Sequence, residues 1–246
     1  MYEIIIQKCE DILIQANYIA ISGGFIAYTE TGKALKNAIE KRLRDMLISL
    51  SVKEVEFPAV IDYERLNLPS LIRRGRKAQC FHLEMANKRD VCLIHTGEEL
   101  AAQYFSDHPH KEAGIFQIKS KFRFEYTEDL LRKLEFTMMD AYCMEQNAAY
   151  PGYTSLVSGL VEVVRALGVP CKLEEMQQQD GTDIHSQELS CQLTPGFWIE
   201  VGHFYQMGKE YGTQGYFSSY GIGIDRLFSC VAIQRIKGEK DGQSIW

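Results

Sequence analysis

The sequence predicts an α+β fold, an antiparallel β-sheet flanked by helices, and three observations carry that expectation. Apolar residues recur at three- and four-residue steps over 31–50, the spacing of a helix with one buried face. Alternating runs at 115–126 and 134–142 lie close enough along the chain to pair as antiparallel neighbours. Further strand-like runs at 189–194, 197–206 and 215–218 precede a helix at 224–236, entered through Gly221 and Gly223. Helices that gather instead of alternating with strands indicate α+β order, not a doubly wound sheet.

Taken in order, the 31–50 helix carries Leu35, Ala38, Ile39, Leu43, Met46, Leu47 and Leu50 along one face. Residues 52–61 follow as a strand in which Pro58, having no amide hydrogen, suggests an edge or an interface. A strand at 90–95 runs into Thr96-Gly97-Glu98-Glu99, which has capping-box spacing and opens a helix. Residues 127–132 suit a short helix by capping and propensity. A helix at 154–167 is expected to be capped by Thr154 and closed by Gly168 and Pro170.

No repeat, low-complexity tract or linker divides the 246 residues, so one domain over 1–246 is expected. The N-terminus lacks the basic start, apolar centre and cleavage site of a signal peptide, and no run approaches the roughly 20 apolar residues of a membrane span. Both point to a cytoplasmic protein with no membrane partner. Seven scattered cysteines, an odd number, read as reduced thiols and not as a disulfide framework. Cys80, His82, Cys92 and His95 are ligand types that zinc accepts, but their spacing matches no standard structural site, so they are expected to line core and pocket. The net charge of −6 argues against a general nucleic-acid binder while leaving room for a local basic site.

The residues that carry chemistry cluster in three places. Phe122-Arg123-Phe124-Glu125 ends one predicted strand, and Arg132-Lys133-Leu134-Glu135-Phe136 begins the next, so a hairpin would set Arg123 beside Phe136. Gly221-Ile222-Gly223-Ile224-Asp225-Arg226 places an arginine at a helix start after a close-approach turn. Arginines, an acidic metal ligand and an aromatic platform are what joining a carboxylate to the α-phosphorus of ATP requires, since a carboxylate needs no general base.

These segments resemble the class II aminoacyl-tRNA synthetases. FRFE followed by LLRKLEFTMMDAY is similar to motif 2, SYGIGIDRL to motif 3, and the 31–50 helix running into EVEFPAV to motif 1. Within the class, the similarity is to bacterial-type prolyl-tRNA synthetases. It extends to IHTGEE (94–99), FQIKSKFRFE (116–125), GTDIHSQE (181–188) and IEVGHFYQMGKEY (199–211), from about Ser22 to Gln234. The resemblance implies ATP and Mg2+ as cofactors. Arg123 would contact the α-phosphate and the amino-acid carboxylate, and Glu125 would meet the adenine side of ATP. Phe136 and Arg226 would sandwich adenine, Arg226 also reaching the γ-phosphate, and Arg132 would meet the outer phosphates. Glu200 would hold magnesium. Thr96, Glu98 and His203 would line the amino-acid pocket, Thr96 and Glu98 gripping the amine. A homodimer through motif 1 is implied as well.

The implied activity is ATP-dependent activation of a small amino or imino acid, proline first, to an aminoacyl-adenylate. The acceptor would be a tRNA, a carrier protein or a small molecule. An inactive paralogue serving as a regulatory or assembly subunit is the alternative. The pattern also departs from the family. No editing domain fits between motifs 2 and 3, and no anticodon-binding domain is expected after motif 3. The motif 2 loop carries Glu128 and Asp129 where a tRNA phosphate would want base. Leu134 stands for a second arginine, Ser219 for a cysteine, and Asp225 is unusual beside Arg226.

Overall fold

A computed structural model describes residues 2–23, 25–65, 80–84, 90–108, 114–123, 129–145, 151–176, 183–207 and 216–240. The chain opens with helix α1 (Tyr2–Gln15), which the sequence reading did not assign. It buries Ile6, Cys9 and Leu13, a three-then-four spacing that gives one apolar stripe. Asn17, in the left-handed conformation that asparagine tolerates, turns the chain into a hairpin of β1 (Ile19–Ser22) and β2 (Phe25–Tyr28). Helix α2 (Glu30–Ser49) follows as expected, and its cap is Thr29, whose hydroxyl accepts the Gly32 amide at 3.1 Å.

The expected strand at 52–61 is two short ones, β3 (Lys53–Glu54) and β4 (Val60–Ile61). Pro58 lies between them and has no amide to continue a ladder. β4 pairs with β6 (Asp90–Leu93), itself paired with β5 (His82–Glu84), in a three-stranded sheet. Helix α3 (Glu98–Asp107) begins after Gly97 with no side-chain cap, so the expected capping box does not form. The helix starts one residue later than cap spacing from Thr96 requires, with Gly97 at the cap position.

The main sheet has seven strands: β3, β7 (Gly114–Phe122), β8 (Glu135–Glu145), β12 (Tyr216–Gly223), β11 (Phe197–Met207), β10 (Asp183–Thr194) and β9 (Cys171–Glu175), in that spatial order. Every pairing is antiparallel except β3 with β7. Helix α4 (Pro151–Ala166) starts at its proline, a favoured first helical position, so Thr154 lies inside it and is not the cap. Gly168, at φ +76°, closes it as expected. Residues 129–132 form a tight turn with mutual backbone bonds between Asp129 and Arg132, not the expected helix; 124–128 lie outside the described residues. The last helix among the described residues, α5 (Ile224–Lys240), leaves the main sheet directly from β12.

Strand alternation sorts the sheet into two faces. Phe116, Met139, Ala141, Phe204, Tyr220 and Ile222 point toward α1, α2, α4 and α5 and form the main core with them. The opposite face carries Gln117, Lys121, Phe136, Asp140, Tyr142, Ser219, Gly221 and His203, as the strand registers require. Helix α3 covers part of that face through Ala101, Ala102 and Phe105, packed on Ile115, Tyr142 and Phe217.

Candidate functional site

Register places a row across this second face: Gln117, Asp140, Gly221, His203 and Glu188 are successive partners on β7, β8, β12, β11 and β10. Gly221 leaves a gap in the row between Asp140 and His203. A Cβ there would come within 2.4 Å of the Met138 methyl. Beside this gap lies a buried polar floor. Lys121 is fully buried and pairs with Asp140 at 2.5 Å, while Gln117 donates to Asp140 and accepts the Phe57 amide. A buried pair of this kind has to be held by surrounding hydrogen bonds, because removing either partner strands a charge. Lys121, Asp140 and Gln117 are absent from the sequence reading. Their signal was an alternation of Gln117, Lys119 and Lys121 with Phe116, Ile118 and Phe122, which by itself reads as a solvated face.

Thr96, Gly97 and Glu98 close over the floor. A Cβ at Gly97 would stand 2.6 Å from both Gln117 Nε2 and the Tyr142 hydroxyl, so only glycine allows this approach. Glu98 is buried and accepts the Ser219 hydroxyl at 3.3 Å. Burial, with Asp140, Glu98 and Glu99 nearby, pushes the Tyr142 hydroxyl well above its ordinary pKa, so it stays a neutral donor. His203 Nε2 lies 2.8 Å from the Ser186 hydroxyl.

The arginines stand at the end of the hairpin. The Arg123 amide donates to Leu134, which extends the β7–β8 pairing, and its guanidinium lies 5.1 Å from the Phe136 ring centre. Loss of solvent and the charge of Arg226 lower the Arg123 pKa, while Glu200, Glu98 and Asp140 oppose that; the group remains a cation. Arg226, from the first turn of α5, donates to the carbonyls of Leu131 and Glu200 and sits 3.7 Å from the Glu200 carboxylate. The structure thus brings Arg123, Phe136, Glu98, Glu200 and Arg226 together. Arg132 turns elsewhere, its guanidinium 5.8 Å from the ring centre of Tyr2 on α1. Glu125 lies outside the described residues.

The four cysteine and histidine residues form two separate pairs, Cys80 with His95 at 3.3 Å and Cys92 with His82 at 3.6 Å. Among the described residues no three His, Cys, Asp or Glu side chains gather as a metal site. Glu200, one exposed carboxylate beside the arginines, meets the lesser demand of magnesium, which is commonly held by one or two carboxylates with substrate phosphates and water.

A seven-stranded sheet with this order, helices on one face and a polar site on the other, matches solved structures over most of the chain. The Giardia lamblia prolyl-tRNA synthetase in complex with prolyl-adenylate superposes with a TM-score of 0.78 at 18% identity, over 92% of this chain and 52% of that one. The Cryptosporidium parvum prolyl-tRNA synthetase complexed with L-proline and AMP gives 0.72 at 11% identity, over 93% and 52%. The fold is class II synthetase-like. In sequence, the chain is 32% identical to the proline–tRNA ligase of Leifsonia xyli over 145 residues, 56% of this chain and 24% of that protein. It is 23% identical to a Schizosaccharomyces pombe protein described as a probable mitochondrial proline–tRNA ligase, over 92% of this chain and 68% of that one. The chain spans about a quarter of the length of the bacterial relatives it matches. No family model matches it.

Proposed function

We propose that the chain is one catalytic domain that activates a small amino or imino acid, proline first, by joining its carboxylate to the α-phosphorus of ATP with release of pyrophosphate. The single observation that carries this reading is the convergence of Arg123, Phe136, Glu200 and Arg226 at the hairpin end, next to the buried Thr96–Glu98 pocket.

Each residue has a physical task in that reaction. Phe136 offers a flat face to adenine, with Arg226 reaching across it, a cation–π arrangement worth roughly 0.5–2 kcal/mol. Arg123 presents a planar fork to the α-phosphate and the substrate carboxylate, holding both anions in line. Arg132 would swing from Tyr2 to the outer phosphates, and the resemblance assigns Glu125 to the adenine side. Glu98 accepts the substrate ammonium, with the Thr96 hydroxyl beside it and His203 further along the face. Glu200 would hold magnesium, which when bound offsets phosphate charge; to do so it must give up Arg226. The Lys121–Asp140 pair would floor the amino-acid pocket, with Gly97 packed closely against Gln117 and Tyr142 beside it. The acceptor would be a tRNA, a carrier protein or a small molecule, and the working unit a homodimer.

The paralogue reading, a subunit without turnover, has one supporting observation: Leu134, beside Arg123, provides no second guanidinium. Amino-acid-dependent ATP–pyrophosphate exchange with magnesium, run across the standard amino acids and small imino acids, decides between them. Exchange with proline or a similar substrate, lost in Arg226→Ala, is the expected outcome. Silence from folded protein with every substrate would reject activation.

A further inference from the structure

Phe136 and Arg226, the two groups assigned to adenine, sit on separate elements, and one buried carboxylate joins those elements. The β8–β12 ladder ends with Met138 opposite Gly223, because the chain turns into α5 at Ile224. The peptide group between Phe136 and Thr137 is left without a strand partner on that side, and its amide donates to Asp225 at 2.7 Å. Asp225 is the neighbour of Arg226 in the first turn of α5. A shift of this carboxylate is therefore passed to the backbone beside both adenine-facing groups.

The place of that carboxylate is set by elements the site does not otherwise use. Its second oxygen lies 3.1 Å from the Lys36 ammonium of α2 and accepts the Tyr28 hydroxyl of β2. The same Tyr28 oxygen accepts Lys133, three residues before Phe136, at 3.1 Å. The chain on both sides of Phe136 is thus gathered at one phenol: Lys133 bonds it directly, and Thr137 reaches it through Asp225. The ring is fixed as well. It stands edge-on to Phe228 of α5, centres 4.9 Å apart, with the ammoniums of Lys36 and Lys133 each 4.7 Å from its centre. Burial, with the Asp225 charge, pushes the Tyr28 hydroxyl well above its ordinary pKa, so it stays a neutral donor. Asp225 pairs with Lys36, and Asp225 and Glu10 both act on Lys133, so the cations are matched without a ligand.

We propose that Tyr28 is a positioning residue for the activation reaction: through Asp225 and Lys133, its hydroxyl sets the spacing of Phe136 and Arg226 across adenine. Tyr28 packs against the main core, on the side of the sheet away from the pocket, so it acts through those two groups and not on the substrates. The proposal rests on the activation reading and adds to it a residue of the β1–β2 hairpin that governs ATP affinity.

The test is Tyr28→Phe in the full chain, which keeps the ring and removes only the hydroxyl. In pyrophosphate exchange the ATP KM should rise about fivefold, within the range of a cation–π platform, while the amino-acid KM stays near wild type. A purely structural role would lower the urea midpoint and leave both KM values alone. In a Phe136→Ala background the effect of Tyr28→Phe on the ATP KM should fall below about twofold, since the platform it positions is gone. Lys133→Met breaks one branch and leaves the Tyr28–Asp225 bond, so it should raise the ATP KM by a smaller factor; it carries the test if circular dichroism shows Tyr28→Phe misfolded. An unchanged ATP KM in the folded variant, an undiminished effect without Phe136, or an equal rise in the amino-acid KM would overturn the proposal and leave the activation reading standing. Wild-type protein without exchange would sink that reading instead, and calorimetric titration with ATP and magnesium would then decide. A Kd about fivefold weaker in Tyr28→Phe upholds the positioning role, whereas an equal Kd, or no binding by wild type, overturns it.

Discussion

Asp225 shows how much one buried carboxylate can organise. It lies one residue before Arg226, and it fixes the Thr137 amide one residue after Phe136. Burial alone would raise its pKa, but Lys133, Lys36, the Tyr28 hydroxyl and the Thr137 amide outweigh that and hold it below the usual 3.8. A folded-state pKa below the unfolded one adds stability that is full above the unfolded value and lost as pH falls through the folded one. Urea titrations should therefore show stability declining below about pH 4. Asp225→Asn should cost about 3–5 kcal/mol at pH 7, because two lysines lose their partner, and the gap to wild type should narrow toward pH 3. A gap that stays constant with pH would remove the charge from this account. At the site itself, Phe136→Ala should raise the ATP KM in exchange assays several-fold while leaving the amino-acid KM near wild type, the range set by a cation–π platform. The reverse pattern would place Phe136 in the amino-acid pocket.

At the scale of elements, legibility followed periodicity. The α2, β7, β8, β10, β11 and α5 segments were readable because each carries a full stripe or alternation of apolar residues. The 52–61 strand was overread because Pro58 interrupts hydrogen bonding without disturbing the apolar pattern, and α1 was missed although Ile6, Cys9 and Leu13 mark it. Thr96 misled because cap spacing is a local pattern, whereas the helix begins one residue later, with Gly97 at its cap position. Lys121 and Asp140 could not be found from spacing alone, since only register across strands brings them together. Glycines now separate in a testable way. At Gly32 an added Cβ would stand 1.9 Å from the Tyr18 carbonyl oxygen, a backbone atom that cannot rotate away. Gly32→Ala should destabilise by about 3 kcal/mol or more in chemical denaturation, because α2 and the β1–β2 hairpin must separate. At Gly221 the nearest atom is a flexible methionine methyl, so Gly221→Ala should cost about 1 kcal/mol or less and act mainly on the amino-acid KM.

For the whole molecule, the sheet order and the placement of four helices on one face follow from faces that must be buried, which is why fold class is legible in the sequence. Assembly is the property that one chain displays least directly. The resemblance to motif 1 assigns the dimer contact to α2 and the segment after it, where Ile48 is 53% exposed, Leu50 41% and Val60 43%. Scattered exposed apolar residues are ordinary on a monomer, so exposure alone decides nothing. A stable symmetric contact buries about 800 Å² per partner and uses the same patch on both copies, so each substitution there acts twice. Sedimentation velocity of the wild type should show a dimer at micromolar concentration, and Ile48→Glu combined with Val60→Asp should shift it to monomer. Because β3 leads from α2 to the edge of β7, the strand that ends at Arg123, the monomeric variant should also lose most pyrophosphate exchange while keeping its circular dichroism. A wild-type monomer that exchanges pyrophosphate would separate catalysis from assembly and remove motif 1 from the dimer argument.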